Sequence, residues 1–240
     1  MKVIVVENYQ QIGALGAKTI GEVIKSNPNC VLGLATGTSP IGIYQNLIEM
    51  CNKGEISFAG VKTVNLDEYV GLDGTHNQSY RYFMNDNLFD HVDIDKAYTF
   101  VPNGVAKDLP AECQRYTTLV NSLQQDIQLL GIGSNGHIAF NEPGTPFDST
   151  THVVELTQNT IKDNSRLFED ISQVPTQALT MGIANIINAK RILIVANGKN
   201  KAQAVFDMVK GPVDTSCPAS ALQNHPDVTV IIDQEAASLL

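Results

Sequence analysis

The chain has 240 residues, 43% hydrophobic and 17% charged, enough apolar material for one large α/β domain to bury a core without metals or disulfides. Its formal net charge of −9 argues against a nucleic-acid or membrane partner, since both need a basic footprint, but leaves room for a small anionic substrate held by a few local cations. Cys30, Cys51, Cys113 and Cys217 form no Cys-x-x-Cys pair, so neither a zinc ribbon nor a redox dithiol is expected and the thiols are read as reduced. The first apolar run is too short for a signal peptide, and no segment approaches the roughly 20 apolar residues of a membrane span. The expected location is the cytoplasm.

In chain order, residues 3–6 predict a buried strand, and 9–25 follow with Ile12, Leu15, Ile20, Val23 and Ile24 near helical spacing. Residues 31–35 predict a second buried strand, which runs through Thr36-Gly37-Thr38-Ser39-Pro40 into a helix over 41–51, with Pro40 suited to its first position. A third strand over 61–66 ends in Asp67-Glu68-Tyr69, and 77–89 reads as helical. A weak strand near 98–101 precedes a polar helix over 106–123. Residues 127–132 form a mostly apolar run, short enough for a buried strand, that breaks into Gly131, Gly133 and Gly136, punctuating a tight turn. Beyond it, 152–156 alternates like a strand, 157–174 is a polar segment, and 176–187 predicts an apolar helix after Pro175. Residues 191–196 predict a buried strand, 200–210 a helix and 228–232 the last strand. Strands alternating with helices imply a single domain over 1–240, with a doubly wound, largely parallel sheet covered by helices on both faces in the Rossmann-like manner.

In such folds ligands bind outside the carboxyl ends of the strands, and three of these ends carry chemistry. Thr36-Gly37-Thr38-Ser39 leads into a helix start, where free N–H groups and hydroxyls attract phosphate, although the same hydroxyls serve equally as an N-cap. It lacks the Gly-Lys-Ser/Thr ending of a P-loop, which removes nucleoside triphosphates from consideration. Asp67, at the end of its strand, suits a general base, although Asp67-Glu68 also reads as a solvated acidic pair. His137 is a proton carrier near neutral pH, with Asn135 and Glu142 in the same loop as partners for its ring. Arg166 and Lys201 either neutralise a phosphate or lie on the solvated surface, and the segment around Arg166 is a candidate lid. No histidine, cysteine and carboxylate cluster has metal-ligand spacing, and no Gly-x-Ser-x-Gly elbow points to a hydrolase triad.

Leu66-Asp67-Glu68-Tyr69-Val70-Gly71-Leu72, the run from Gly131 to Pro143 and Ser165-Arg166 resemble the glucosamine-6-phosphate deaminase family over most of the chain. The related 6-phosphogluconolactonases share the Gly-x-Gly-x-x-Gly-His turn; the continuation Phe140-Asn141-Glu142-Pro143, together with Asp67-Glu68-Tyr69, favours the deaminases. The resemblance implies a hydrolase/isomerase reaction in amino-sugar catabolism: glucosamine 6-phosphate and water give fructose 6-phosphate and ammonia, without cofactor or metal. It implies that His137 opens the sugar ring, with Glu142 and Asn135 holding the imidazole. Asp67 would move the proton from C2 toward C1, and Gly37, Thr38, Ser39, Arg166 and Lys201 would bind the phosphate. Asn at 135, where some members have Asp, implies an orienting rather than a charging partner for His137. The end at Leu240 resembles the short members of the family and implies a monomer without the allosteric control of longer ones. A sugar-phosphate sensor that binds without turnover is the alternative from another class.

Overall fold

Alternation of strands and helices produces a sheet with the strand order β1-β10-β9-β6-β2-β3-β5, in which every pair is parallel. The computed structural model describes residues 1–156, Asp170 and 173–240. The strands of this sheet are β1 (Lys2–Val6), β2 (Val31–Leu34), β3 (Lys62–Asn65), β5 (Thr99–Phe100), β6 (Ile127–Leu130), β9 (Ile192–Ala196) and β10 (Val228–Asp233). Every residue of β2, β6 and β9 is buried, which requires cover on both faces and explains why these strands are almost wholly apolar, with Gln128 of β6 the one polar side chain among them. β1 departs from the expected buried strand: it is the edge of the sheet, paired only with β10, and Val5 is 49% exposed.

A second, smaller sheet has the order β4-β8-β7 and is antiparallel. It comprises β4 (Asp67–Tyr69), β7 (His152–Glu155) and β8 (Gln177–Thr180). Two expectations change here. Asp67-Glu68-Tyr69 is not a solvated loop pair but a buried strand, and the apolar run over 176–187 is not one helix but β8 followed by a single helical turn at Ile183–Ile187. An apolar run of that length carries no period that separates a buried strand from a buried helix. The segment 157–174, read as a lid, and Arg166 within it lie outside the described residues, save Asp170, Gln173 and Val174.

Among the described residues the α-helices are α1 (Tyr9–Ser26), α2 (Ile41–Asn52), α3 (Tyr80–Asn87), α4 (Leu109–Leu123), α5 (Ile183–Ile187) and α6 (Ala202–Lys210). Asn8 caps α1 by accepting the Gln11 N–H at 3.0 Å, and Asp108 caps α4 in the same way through Ala111 at 2.9 Å. α1 buries Ile12, Ile20, Val23 and Ile24 in the core. Its small residues lie against α2: a methyl at Gly13 would run into the backbone of Gly42, and one at Gly16 into the Ile43 side chain. α2 is tied to the end of β2 by the Tyr44 hydroxyl, which donates to the Ala35 carbonyl at 2.5 Å. The α1–α2 contact therefore helps set where the loop after β2 sits.

Gly13→Ala tests that contact. On an exposed helix the change would stabilise by about 1 kcal/mol through helix propensity. Against the Gly42 backbone it is expected instead to destabilise by about 1–3 kcal/mol, read as a lower urea midpoint at unchanged slope.

Candidate active site

A cleft of about 300 Å³ opens at the carboxyl ends of the central strands. It is lined by the loop after β2 (Thr36, Gly37, Thr38, Ser39), by Leu66 and Asp67, by the loop after β6 (Gly131, Ile132, Gly133, Ser134, His137), by Tyr80, Ala139 and Phe140, and by Lys201. The order of the strands explains the place: β3 and β5 lie on one side of β2, whereas β6 returns to its other side, so the loops after β2 and β6 part at the switch point.

The loop after β2 owes its path to Gly37, whose φ of +83° lies in the left-handed region. Pro40 stands at the N-cap of α2 rather than inside it, and no side chain caps this helix. Among the described residues the backbone N–H groups of Gly37, Thr38 and Ser39 meet no acceptor. Lys201, which lines the same cleft, ends the 3-10 turn Lys199–Lys201. The turn is held to β10 because the Gly198 N–H donates to both Asp233 carboxylate oxygens, at 3.1 and 3.0 Å. Burial lowers the Lys201 pKa, and among the described residues no carboxylate pairs with it. Free donors and an unpaired ammonium on one rim suit an anion.

Asp67 is only 6% exposed. It begins β4, where the chain leaves the large sheet and pairs with Thr180 of β8. Burial pushes its carboxyl up to about 8, and the neighbouring Glu68 carboxylate adds to the rise. Glu68 has a different task. Its side chain accepts the backbone N–H groups of Tyr69, Tyr80 and Arg81, each at 2.9 Å, so it closes the start of α3. That places Tyr80 in the cleft wall, with its ring 6.3 Å from that of Phe140.

The loop after β6 folds back on itself. The Gly133 N–H donates to the His137 carbonyl at 2.9 Å, and a methyl at Gly133 would collide with the His137 imidazole, so only glycine leaves room for the ring. His137 Nδ1 faces Glu142 Oε1 at 3.4 Å, an ion-pair distance but long for a hydrogen bond. Asn135 does not touch the imidazole. Its amide donates to Glu142 Oε2 at 2.7 Å, and its oxygen accepts the His137 backbone N–H at 3.2 Å. Asn135 thus orients Glu142, and Glu142 faces the ring. The His137 imidazole, helped by Asn135, holds the Glu142 carboxyl below its usual range against the opposing effect of burial. The loop then docks on β8: the Phe140 N–H donates to Thr180 Oγ1 at 3.1 Å, and the Asn141 amide donates to the Ile138 and Met181 carbonyls, each at 2.9 Å. Just before Phe140, Ala139 takes a φ of +53°, a strained conformation for a residue with a side chain.

Gly37, Thr38, Ser39, Asp67, His137 and Lys201 therefore share one cleft, with Asn135 and Glu142 behind the imidazole, while Arg166 lies outside the described residues. Tyr80, Ala139 and Thr180 carry no spacing signal that marks them in the sequence; a glycine-like conformation at an alanine shows only in the backbone. Among the described residues no three His, Cys, Asp or Glu side chains are placed to hold a metal.

The family model for glucosamine-6-phosphate isomerases and 6-phosphogluconolactonases matches residues 7–231. The chain belongs to this family. It is 50% identical, over the full length of both proteins, to a glucosamine-6-phosphate deaminase of Clostridium perfringens (strain 13 / Type A). It is 52% identical to one of Bacillus velezensis (strain DSM 23117 / BGSC 10A6 / LMG 26770 / FZB42), with 99% of each chain covered. The solved structure of a monomeric glucosamine-6-phosphate deaminase, 51% identical, superposes with a TM-score of 0.97 over all of both chains. A 6-phosphogluconolactonase from Trypanosoma brucei shares the fold at a TM-score of 0.80 and 19% identity, covering 100% of this chain and 98% of its own. No described helix of this family member is long and apolar enough to cross a membrane.

A buried carboxyl with a raised pKa costs stability once it ionises. Between its unfolded pKa of about 3.9 and its folded value the native state binds the extra proton, so stability contributed by Asp67 falls as pH rises and levels off above about 8. Thermal unfolding at several pH values is expected to show Asp67→Asn gaining on the wild type through this window; a constant difference would contradict the burial of the charge.

Proposed function

We propose that this chain converts glucosamine 6-phosphate and water into fructose 6-phosphate and ammonia. The observation that carries the reading is one cleft holding a buried carboxyl, an imidazole and an anion-attracting rim. The full-length likeness to deaminases narrows the substrate to an amino-sugar phosphate. We describe the reaction as isomerising deamination rather than plain hydrolysis, since water enters only after the isomerisation.

In this mechanism the phosphate binds the N–H groups of Gly37, Thr38 and Ser39 and the Lys201 ammonium, with Arg166 as a further ligand. His137 Nδ1 is turned to Glu142, which leaves Nε2 to take the anomeric hydroxyl proton and return a proton to the ring oxygen as the ring opens. The 3.4 Å approach of Glu142 tightens when the imidazole becomes charged. Glu142 steadies that charge, and Asn135 steadies Glu142. Asp67 then removes the C2 proton, giving an enolamine, and delivers it to C1. The resulting C2 iminium takes up water, and the carbinolamine expels ammonia to leave the ketose phosphate. The protein acts as a single domain and a monomer, in the cytoplasm, with no nucleic-acid or membrane partner.

Purified protein should release ammonia and fructose 6-phosphate from glucosamine 6-phosphate in a coupled assay; hydrolysis of 6-phosphogluconolactone in its place would move the reading to the other branch of the family. Asp67→Asn should lower kcat by about 10²–10⁴-fold with the fold intact by circular dichroism. Because the base works ionised and its carboxyl lies at about 8, kcat/KM of the wild type should rise with pH and level off near that value.

A further inference from the structure

Tyr9, at the first position of α1, is far in sequence from every residue of the cleft, yet it governs the loop after β2. Its hydroxyl donates to the Thr38 carbonyl at 2.7 Å and accepts the Gly42 N–H at 3.0 Å, bridging the loop to the first turn of α2. Gly42 admits the ring, since a methyl there would come within 3.2 Å of Tyr9 Cε1.

The loop needs such a restraint. Gly37 gives it conformational freedom, and no side chain caps α2. Beside the loop a solvent-open hollow of about 370 Å³ is lined by Tyr9, Thr38, Ile41 and Asn197. On that side the Tyr9 hydroxyl bonds both the loop and the first turn of α2. The Thr38 carbonyl accepts from Tyr9 and, more distantly, from the Ile41 N–H at 3.4 Å, so it is turned away from the cleft. A trans peptide points its N–H opposite to its carbonyl. The Ser39 N–H is thereby sent to the side on which Ser39 borders the cleft and approaches Gly131.

We propose that Tyr9 is a positioning residue for phosphate recognition: its hydroxyl fixes the Thr38–Ser39 peptide with the N–H, not the carbonyl, toward the bound anion. The proposal rests on the reading of this rim as the phosphate site. Tyr9 touches no substrate atom. Without the hydroxyl, the peptide is free to turn its carbonyl toward the phosphate, so that binding weakens while the proton-transfer groups on the other strands stay in place.

Inorganic phosphate as a competitive inhibitor of glucosamine 6-phosphate turnover separates the two claims, measured on the wild type, Tyr9→Phe and Lys201→Ala. Tyr9→Phe keeps the ring and loses only the hydroxyl. It should raise both the phosphate inhibition constant and KM by about 3- to 10-fold, the range of one lost hydrogen bond, with kcat changed by less than about twofold. A Tyr9→Phe enzyme with wild-type phosphate inhibition and KM overturns the assignment, as does a fall in kcat and thermal stability at unchanged KM. Lys201→Ala should weaken phosphate inhibition by more than about 10-fold through loss of an unpaired ammonium. If Lys201→Ala is inhibited like the wild type, the phosphate reading itself falls and the proposal with it; if only Tyr9→Phe is, the proposal alone falls.

Discussion

The chain passes from one sheet to another at Leu66, and the site is built around that step. The Leu66 N–H donates to the Leu34 carbonyl of β2 at 3.3 Å, while the Leu66 carbonyl accepts the Met181 N–H at 2.7 Å. Asp67 is consequently paired with Thr180 on the far side of the step. Thr180 also receives the Phe140 N–H on its hydroxyl, and Met181 receives the Asn141 amide on its carbonyl. A single pair of residues at the end of β8 thus sets the position of the carboxyl-bearing strand and of the histidine-bearing loop together. The strand half of the cleft is registered through backbone pairing, and the loop half through the Thr180 hydroxyl and the Asn141 amide.

The same step explains the electrostatics. A strand entering a second sheet buries alternate side chains on opposite sides, so adjacent carboxylates meet different surroundings. Glu68 finds three backbone donors at the start of α3, and Asp67 lines the cleft without such partners. Burial raises the proton affinity of both acids, to about 8 for Asp67 and about 7 for Glu68, but only at Glu68 do backbone donors oppose the rise. A chain of net charge −9 can still present a locally positive rim, because among the described residues unpaired N–H groups and the Lys201 ammonium meet there.

What the sequence makes legible follows from how far each feature depends on distant residues. β2, β6 and β9 stand out because burial on both faces leaves them almost wholly apolar, with the buried Gln128 of β6 as the exception. β1 looks alike in composition, yet its edge position is decided by which strand pairs with it, and no local pattern records that. β4 is hidden for the opposite reason: Asp67-Glu68-Tyr69 is polar in composition, and its burial becomes tolerable only through Thr180, α3 and the cleft. In the site, the glycine-broken turn before His137 is visible because close backbone approach demands glycine locally. The direction of Asn135 toward Glu142 and the bridge from Tyr9 are side-chain choices made in three dimensions, and spacing does not encode them.

Ala139 carries a further meaning. Its backbone sits at a φ of +53°, where glycine would rest without penalty, and its methyl forms part of the cleft wall. Holding a side chain there costs on the order of 1 kcal/mol, which is a visible share of the few kcal/mol that separate a folded domain from its unfolded ensemble. A search for hardier versions of this chain guided by backbone comfort alone would therefore choose this position early, and in doing so would trade the shape of the wall for thermal endurance.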